Sequence, residues 1–330
     1  MITRRNVLAA GVTVLVAPTL VWSQRGGKVY RIGSLSQQSR SVAEGTGGYL
    51  SDVRDGLRDL GWVEGRDFVF ESLFAPEHAE DLPTLAARLV RTNPDVIVVQ
   101  SAGLVEMLLK HTTTIPIVAL SAGLLTADEQ VASLAKPGGT VTGRQLFSPE
   151  LMGKRLQLLK ELVPGLRRVA VLRGSNYPAA LLAAYRDATD AAASALNIRV
   201  RYLRFDNGAE LDGLFAEMVK EGDQALLVWA NPHLLSNVRR IYELVTQYRL
   251  PAIYEVRPFA DGLMVYGPNL NVVTREAARY VDRILRGTKP ADLAVGQPRT
   301  FELILNMKAA QAIGLTIPQS LLLRADEVNR

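Results

Sequence analysis

The residues of this chain best suited to chemistry are small polar side chains standing directly after predicted strands. Ser34 and Ser36 close the first apolar segment, Gln100 and Ser101 follow the run Asp95-Val-Ile-Val-Val, and Ser121 and Ala122 follow Ile115-Pro-Ile-Val-Ala-Leu. The last two pairs precede helical stretches. Free backbone N–H groups and the dipole at a helix N-terminus favour an anion such as a carboxylate. Helix capping selects serine at the same places, so capping and ligand contact stand as two readings of each serine. Further along, Asn176 and Tyr177, Trp229 and Asn231, and Tyr254 and Glu255 follow three more strands. The aromatic side chains could stack on a ligand or pack into a core. Glu255 could meet a ligand ammonium or lie on the surface. A mostly apolar pocket with a few placed polar groups is the usual composition of a small-molecule site.

Other chemistries lack their residues. The chain has no cysteine and three histidines, His78, His111 and His233, far apart in sequence. No zinc or other metal site is expected. There is no Gly-x-x-x-x-Gly-Lys motif, and Gly45-Thr-Gly-Gly48 lies too far from the first strand to form a dinucleotide fingerprint. Ser101-Ala-Gly103 and Ser121-Ala-Gly123 each match half of a nucleophile elbow, but Val99 and Ala119 stand where its first glycine belongs. No catalytic residue and no cofactor are therefore expected. The net charge is +5, and signs alternate in stretches such as Arg54, Asp55, Arg58 and Asp59. That is a solvated helix face, and nucleic acid is not expected as a partner.

The elements that must position these residues alternate in type. Strands are predicted at 28–35, 67–72, 95–100 and 115–120, with helices at 47–60, 82–92, 104–111 and 127–135 between and after them. Pro137-Gly138-Gly139 breaks the pattern, and 140–147 reads as extended. The alternation then restarts. Helices are predicted at 150–162, 179–196, 211–221 and 234–248, and strands at 168–172, 198–205, 225–229, 251–254 and 262–266. Short continuously apolar strands between helices imply α/β architecture with buried parallel sheets. A faint internal echo links Leu82-x-x-Leu85, Asp95-Val-Ile-Val and Ile115-Pro-Ile to Leu211-x-x-Leu214, Asp223-Gln-Ala-Leu-Leu-Val and Leu250-Pro-Ala-Ile. It fits either the common look of βαβ units or two lobes on one plan. Two such lobes can face the carboxyl ends of their strands across a cleft, where open α/β sheets bind ligands, and can close on it about a hinge.

The first residues read as a leader. Arg4-Arg5 precedes an apolar stretch from Val7 to Trp22, and Ser23 offers a small residue before Gln24. This pattern is that of a cleaved export signal at 1–23, with the paired arginines open to a twin-arginine as well as a general route. The stretch is short for a membrane span of roughly 20 apolar residues. Without a cysteine to carry a lipid, a soluble, unanchored periplasmic product is expected.

Longer motifs carry a family resemblance. Tyr30-Arg-Ile-Gly-Ser-Leu, Gly61-Trp-Val-Glu-Gly65, Thr114-Ile-Pro-Ile-Val118, Lys136-Pro-Gly-Gly-Thr-Val-Thr-Gly143 and Gly153-Lys-Arg-Leu156 occur in order, followed by Tyr280-Val-Asp-Arg-Ile-Leu285, Phe301-Glu-Leu-Ile-Leu-Asn306 and Ala312-Ile-Gly-Leu-Thr-Ile-Pro318. Together they resemble the ABC transporter substrate-binding protein family related to bacterial tryptophan-binding proteins. The resemblance implies a two-lobed type I periplasmic-binding-protein fold, each lobe a mostly parallel sheet flanked by helices, with a hinge of crossing strands. It places the first lobe at 28–143 plus about 267–300 and the second at 144–266. A hinge-crossing strand and a C-terminal packing segment then fill 301–330. It implies a monomer that hands a small solute to an inner-membrane ABC permease, without catalysis. A sensor presenting its solute to a membrane receptor, or a secreted α/β enzyme, stand as the alternatives. Family members often carry a Gly-Asp-Pro-like sequence where this chain has Ser121-Ala-Gly-Leu, and Asn-Pro-x-Asn-Pro where it has Arg173-Gly-Ser-Asn-Tyr-Pro178. Both departures fall at the expected cleft.

Overall fold

The computed structural model describes residues 28–78, 80–121, 130–145, 149–174, 177, 179–230 and 232–330. The expected export signal at 1–23 lies outside them. The first half builds β1 (Tyr30–Ser36), α1 (Arg40–Ala43), α2 (Tyr49–Asp59), β2 (Phe68–Phe74), α3 (Leu82–Arg91), β3 (Val96–Val99), α4 (Ala102–Leu109), β4 (Ile117–Ser121) and β5 (Val141–Gln145). The second builds α5 (Leu151–Leu162), β6 (Arg168–Gly174), α6 (Ala179–Ala195), β7 (Arg199–Phe205), α7 (Leu211–Lys220), β8 (Ala225–Val228), α8 (Pro232–Ser236), α9 (Val238–Tyr248), β9 (Ala252–Tyr254) and β10 (Met264–Pro268). The chain ends with α10 (Leu270–Leu285), β11 (Phe301–Asn306), α11 (Met307–Ala312), α12 (Gln319–Leu322) and β12 (Glu327–Asn329).

Two sheets result, one per lobe. The first runs β2-β1-β3-β4-β5 and is parallel throughout. The second runs β7-β6-β8-β9-β10 in parallel, then adds β11 antiparallel to β10 and β12 parallel to β11. Its first five strands repeat the order of the first sheet, so the internal echo reflects one plan used twice. The all-apolar strands β3 and β8 are fully buried, as their composition requires of strands covered on both faces. At β5 the backbone of Gly143 comes so close to β4 that a Cβ would lie 2.6 Å from the Ala119 nitrogen, at a φ of 132°. Only glycine fits there.

The chain passes between the sheets three times. It leaves the first sheet at β5 for α5 and returns from β10 into α10. It then runs beside β5 before entering β11. Helix α10 turns Val273, Ala277, Ala278 and Val281 onto the core of the first sheet, shared with Tyr49, Leu50, Val53 and Leu57 of α2. Each valine and leucine among them contributes roughly 1.5–3 kcal/mol when fully buried. Gly56 lets α2 and α10 touch, since a Cβ there would lie 2.7 Å from that of Ala278. On the third pass, Gly296 N–H donates to Gly143 O at 2.9 Å, and Gln145 N–H to Gly296 O at 2.8 Å. Leu270 packs against the cores of both lobes.

Two local expectations fail. Residues 130–135 of the expected helix 127–135 form bends, while 127–129 lie outside the described residues. Ser133 closes this turn instead: its Oγ accepts from Lys136 N–H at 3.0 Å and donates to Lys136 O at 3.2 Å, and Ala132 N–H reaches Pro137 O. Serine offers the backbone this alternative to a helix, and Pro137 forbids continuation. The single helix expected at 234–248 is two, because Asn237 leaves helical geometry at φ -110° and ψ 14°.

Candidate functional site

The shared strand order puts a topological switch point between β1 and β3 in the first sheet and between β6 and β8 in the second. Ligands of such sheets bind outside the carboxyl ends at that point. In the first lobe the switch is flanked by Ser36 at the end of β1 and by Gln100 and Ser101 after β3. Ser101 caps α4, its Oγ accepting from Leu104 N–H at 3.2 Å. Ser36 is nearly buried and its Oγ accepts from Gln38 N–H at 3.0 Å, which folds the chain back at the strand end. Gln100 and Ser101 are half-buried. Ser121 ends β4 in register with Gln145 of β5, and Ala122 lies outside the described residues.

Ser34 stands elsewhere. It is fully buried one turn of the pleat below Ser36, bonded to Val98 O at 3.0 Å and to the Tyr49 hydroxyl at 2.7 Å. A serine has a single proton to donate. Because Val98 O accepts it, Tyr49 O–H donates to Ser34 Oγ. Burial pushes the Tyr49 phenol up to about 12, against the pull of these serines. Ser34 thus braces α2 on the sheet and offers nothing at the surface.

In the second lobe Asn176 and Asn231 lie outside the described residues. Tyr177 bridges the switch point: its hydroxyl donates to Ala230 O at 2.7 Å, tying the end of β6 to the end of β8. Trp229 is a core residue. It is fully buried with its ring centroid 4.9 Å from Tyr185 and 5.8 Å from both Tyr177 and Tyr202. Tyr254 is also fully buried, stacked on Phe259 at 5.0 Å and edge-on to Tyr242 at 5.7 Å. Both aromatics form the floor beneath the strand ends, so their apolar strand context, not their position at a terminus, decides where they point.

Glu255 corrects the reading most. It is neither at the surface nor open to a ligand ammonium. Its Oε1 accepts from Arg155 Nη1 at 2.7 Å and its Oε2 from Ala230 N–H at 2.6 Å, with both side chains 1% exposed. Arg155 also donates through Nε to Tyr266 O at 2.8 Å. Burial raises the Glu255 carboxyl above the usual glutamate range, while Arg155 and the Ala230 N–H offset part of that. Gly267 admits the pair, since a Cβ there would collide with Glu255 O and sit 3.3 Å from Arg155 Nη2. One ion pair therefore joins α5, β9, β10 and the segment after β8. Its signal was present in the sequence: Arg155 lies on the apolar stripe of α5 with Met152, Leu156 and Leu159, all buried.

A second unforeseen residue is Arg173, the penultimate residue of β6. Its Nη1 donates to Gly174 O at 3.1 Å, and its Nε is buried with no hydrogen-bond partner among the described residues. The strand ends thus present a guanidinium in one lobe, beside the Tyr177–Ala230 bridge, and the start of α4 in the other. These groups can orient and neutralise a small anion.

Solved structures share this architecture. A conserved domain protein from Vibrio cholerae superposes with a TM-score of 0.78 at 22% identity, over 92% of this chain and 100% of that one. An ABC domain from Streptococcus pneumonia in complex with L-Trp gives 0.79 at 21%, over 91% and 100%. A solute-binding protein from R. palustris in complex with benzoate gives 0.54 at 14%, over 77% and 75%. At these identities the likeness shows the fold alone. No curated protein matches the chain significantly. No helix among the described residues is long and apolar enough to cross a membrane. The family model described as ABC transporter substrate binding protein matches residues 44–329. With its two same-plan lobes and three crossings, the chain belongs to the ABC transporter substrate-binding protein family.

Proposed function

We propose that this protein captures a small carboxylate-bearing solute, such as an amino acid or aromatic acid, between its lobes and delivers it to an ABC permease without altering it. The observation that carries the reading is the donors at both switch points: the N–H groups at the start of α4 beside Ser36 and Gln100 in one lobe, and the Arg173 guanidinium, next to the Tyr177–Ala230 bridge, in the other. Cationic and N–H donors at strand ends and helix starts select anions. The L-Trp and benzoate named for the two structural neighbours both bear a carboxylate, which agrees with that selection. The leader at 1–23 supports export to the periplasm, and the sequence has no cysteine to carry a lipid.

A thermal-shift screen of amino acids, aromatic acids, sugars and cations tests the reading. A ligand at a hundred times its Kd adds about 2.7 kcal/mol, or roughly 5–10 °C for lobes of this size. At least one carboxylate should produce such a shift. Stabilisation by sugars or cations alone would refute the carboxylate assignment.

A further inference from the structure

Arg173 sits in an environment that lacks its counter-charge. It is half-buried, and among the described residues no carboxylate forms an ion pair with it. Its register partner across the sheet is Arg204 on β7. Arg204 is itself neutralised by Asp206, donating through Nε to both carboxylate oxygens at 3.0 and 2.9 Å. Arg186 of α6 lies on the same side, its guanidinium 4.8 Å over the Tyr202 ring. Arg186 and Arg204 thus have partners of their own, and among the described residues the Arg173 guanidinium donates to the Gly174 carbonyl. A half-buried guanidinium crowded by two cations is destabilised until an anion joins it. The electrostatics agree: burial first, then Arg186 and Arg204, push its guanidinium below the ordinary arginine value, with Tyr177 and Asp206 opposing.

Its place in the fold gives this deficit a use. Arg173 is one residue from the carboxyl end of the strand that forms the switch point, on the side of Tyr177, whose hydroxyl feels its charge. We propose that Arg173 is the cation that takes the carboxylate of the solute, and so sets the preference of this protein for acids over their neutral analogues. The inference rests on the solute-binding reading above and adds the residue that would carry it. A guanidinium can hold a carboxylate through two parallel N–H bonds.

The test is isothermal titration of the full mature chain with the twenty amino acids, benzoate and phenylacetate, and with the amides of those that bind. Arg173→Gln and Arg173→Lys are compared with the unmodified protein. The expected result is a carboxylate that binds the unmodified protein, at least about tenfold more weakly binds R173Q, as for loss of a charge-assisted hydrogen bond, and is partly restored in R173K. Its amide should bind the unmodified protein and R173Q alike. Ligand-free R173Q should melt no lower than the unmodified protein at low salt, because a repelled charge is removed. A carboxylate that binds all three within twofold would overturn the role of Arg173 while leaving the solute-binding reading intact. A fall in the ligand-free melting temperature that R173K does not restore would make Arg173 structural and also overturn it. If no carboxylate binds the unmodified protein, the reading of the site and the inference fall together.

Discussion

Replacing Arg155 with Met should reveal how strongly one buried ion pair ties α5 to β9 and β10 of the second lobe. Methionine keeps most of the volume but leaves Glu255 charged, 1% exposed and deprived of the guanidinium 2.7 Å away. It also leaves Tyr266 O on β10 without its donor. Removing one partner of a buried pair costs roughly 3–5 kcal/mol, because the remaining charge is uncompensated. At about 2–4 °C per kcal/mol for a domain of this size, the melting temperature should fall by roughly 6–20 °C. Adding Glu255→Leu removes that charge, so the double variant should be no worse than Arg155→Met alone. The coupling between the two positions should exceed about 1 kcal/mol, the scale for residues in one network. Thermal and urea unfolding of the four proteins measures it. A loss under about 2 °C in R155M, or strict additivity, would refute the claim that the pair is a joint between α5, β9 and β10.

Three further expectations follow from the same geometry. Because burial raises the Glu255 carboxyl, the folded state holds that proton more tightly than the unfolded chain; the contribution of this group is greatest at low pH and declines as pH rises through the raised value. The stability of the unmodified protein relative to Glu255→Gln, from urea midpoints between about pH 4 and 7, should therefore fall as pH rises, and a relative stability that rises with pH contradicts the assignment. Trp229→Ala should cost roughly 3–5 kcal/mol as a core cavity, read by chemical unfolding; a small loss of stability with a large loss of solute affinity would instead make Trp229 a ligand contact. Gly56→Val should destabilise by about 1–3 kcal/mol or more through overpacking at the α2–α10 contact, since even a Cβ meets Ala278 at 2.7 Å; unchanged unfolding would show that the two helices slide apart freely.

The fold was legible because its strands are short apolar runs and its helices carry clean stripes. Val96–Val99 and Ala225–Val228 could only be buried parallel strands, and Gly61 at φ 87° ends α2 as a helix-terminating glycine should. Where local side-chain bonding competes with helix, as Ser133 does, periodicity misled. The strand expected at the start of 301–330 is β11, but its antiparallel pairing with β10 is long-range and no local pattern reports it, and the three-residue β12 has no apolar run of its own.

The site was legible by position and less so by orientation. Strand ends were found, but a strand alternates its side chains, so position does not tell whether a side chain turns to the solvent or to the floor. Ser34, Trp229 and Tyr254 turn to the floor. Glu255 was visible as a carboxylate, but its partner lies 100 residues earlier in α5, a separation that no local pattern reports. Arg173 carries no local signal, because Arg186 and Arg204 come near it only through the fold.

The central claim is that a carboxylate solute lies between the carboxyl ends of the two sheets. A high-resolution crystal structure of the protein purified without denaturation, read for co-purified density, tests it most directly. The account predicts a small acid between the Ser36–Ser101 end of the first lobe and the Arg173–Tyr177–Ala230 end of the second. A neutral or cationic molecule there, or an acid bound away from both strand ends, would contradict it.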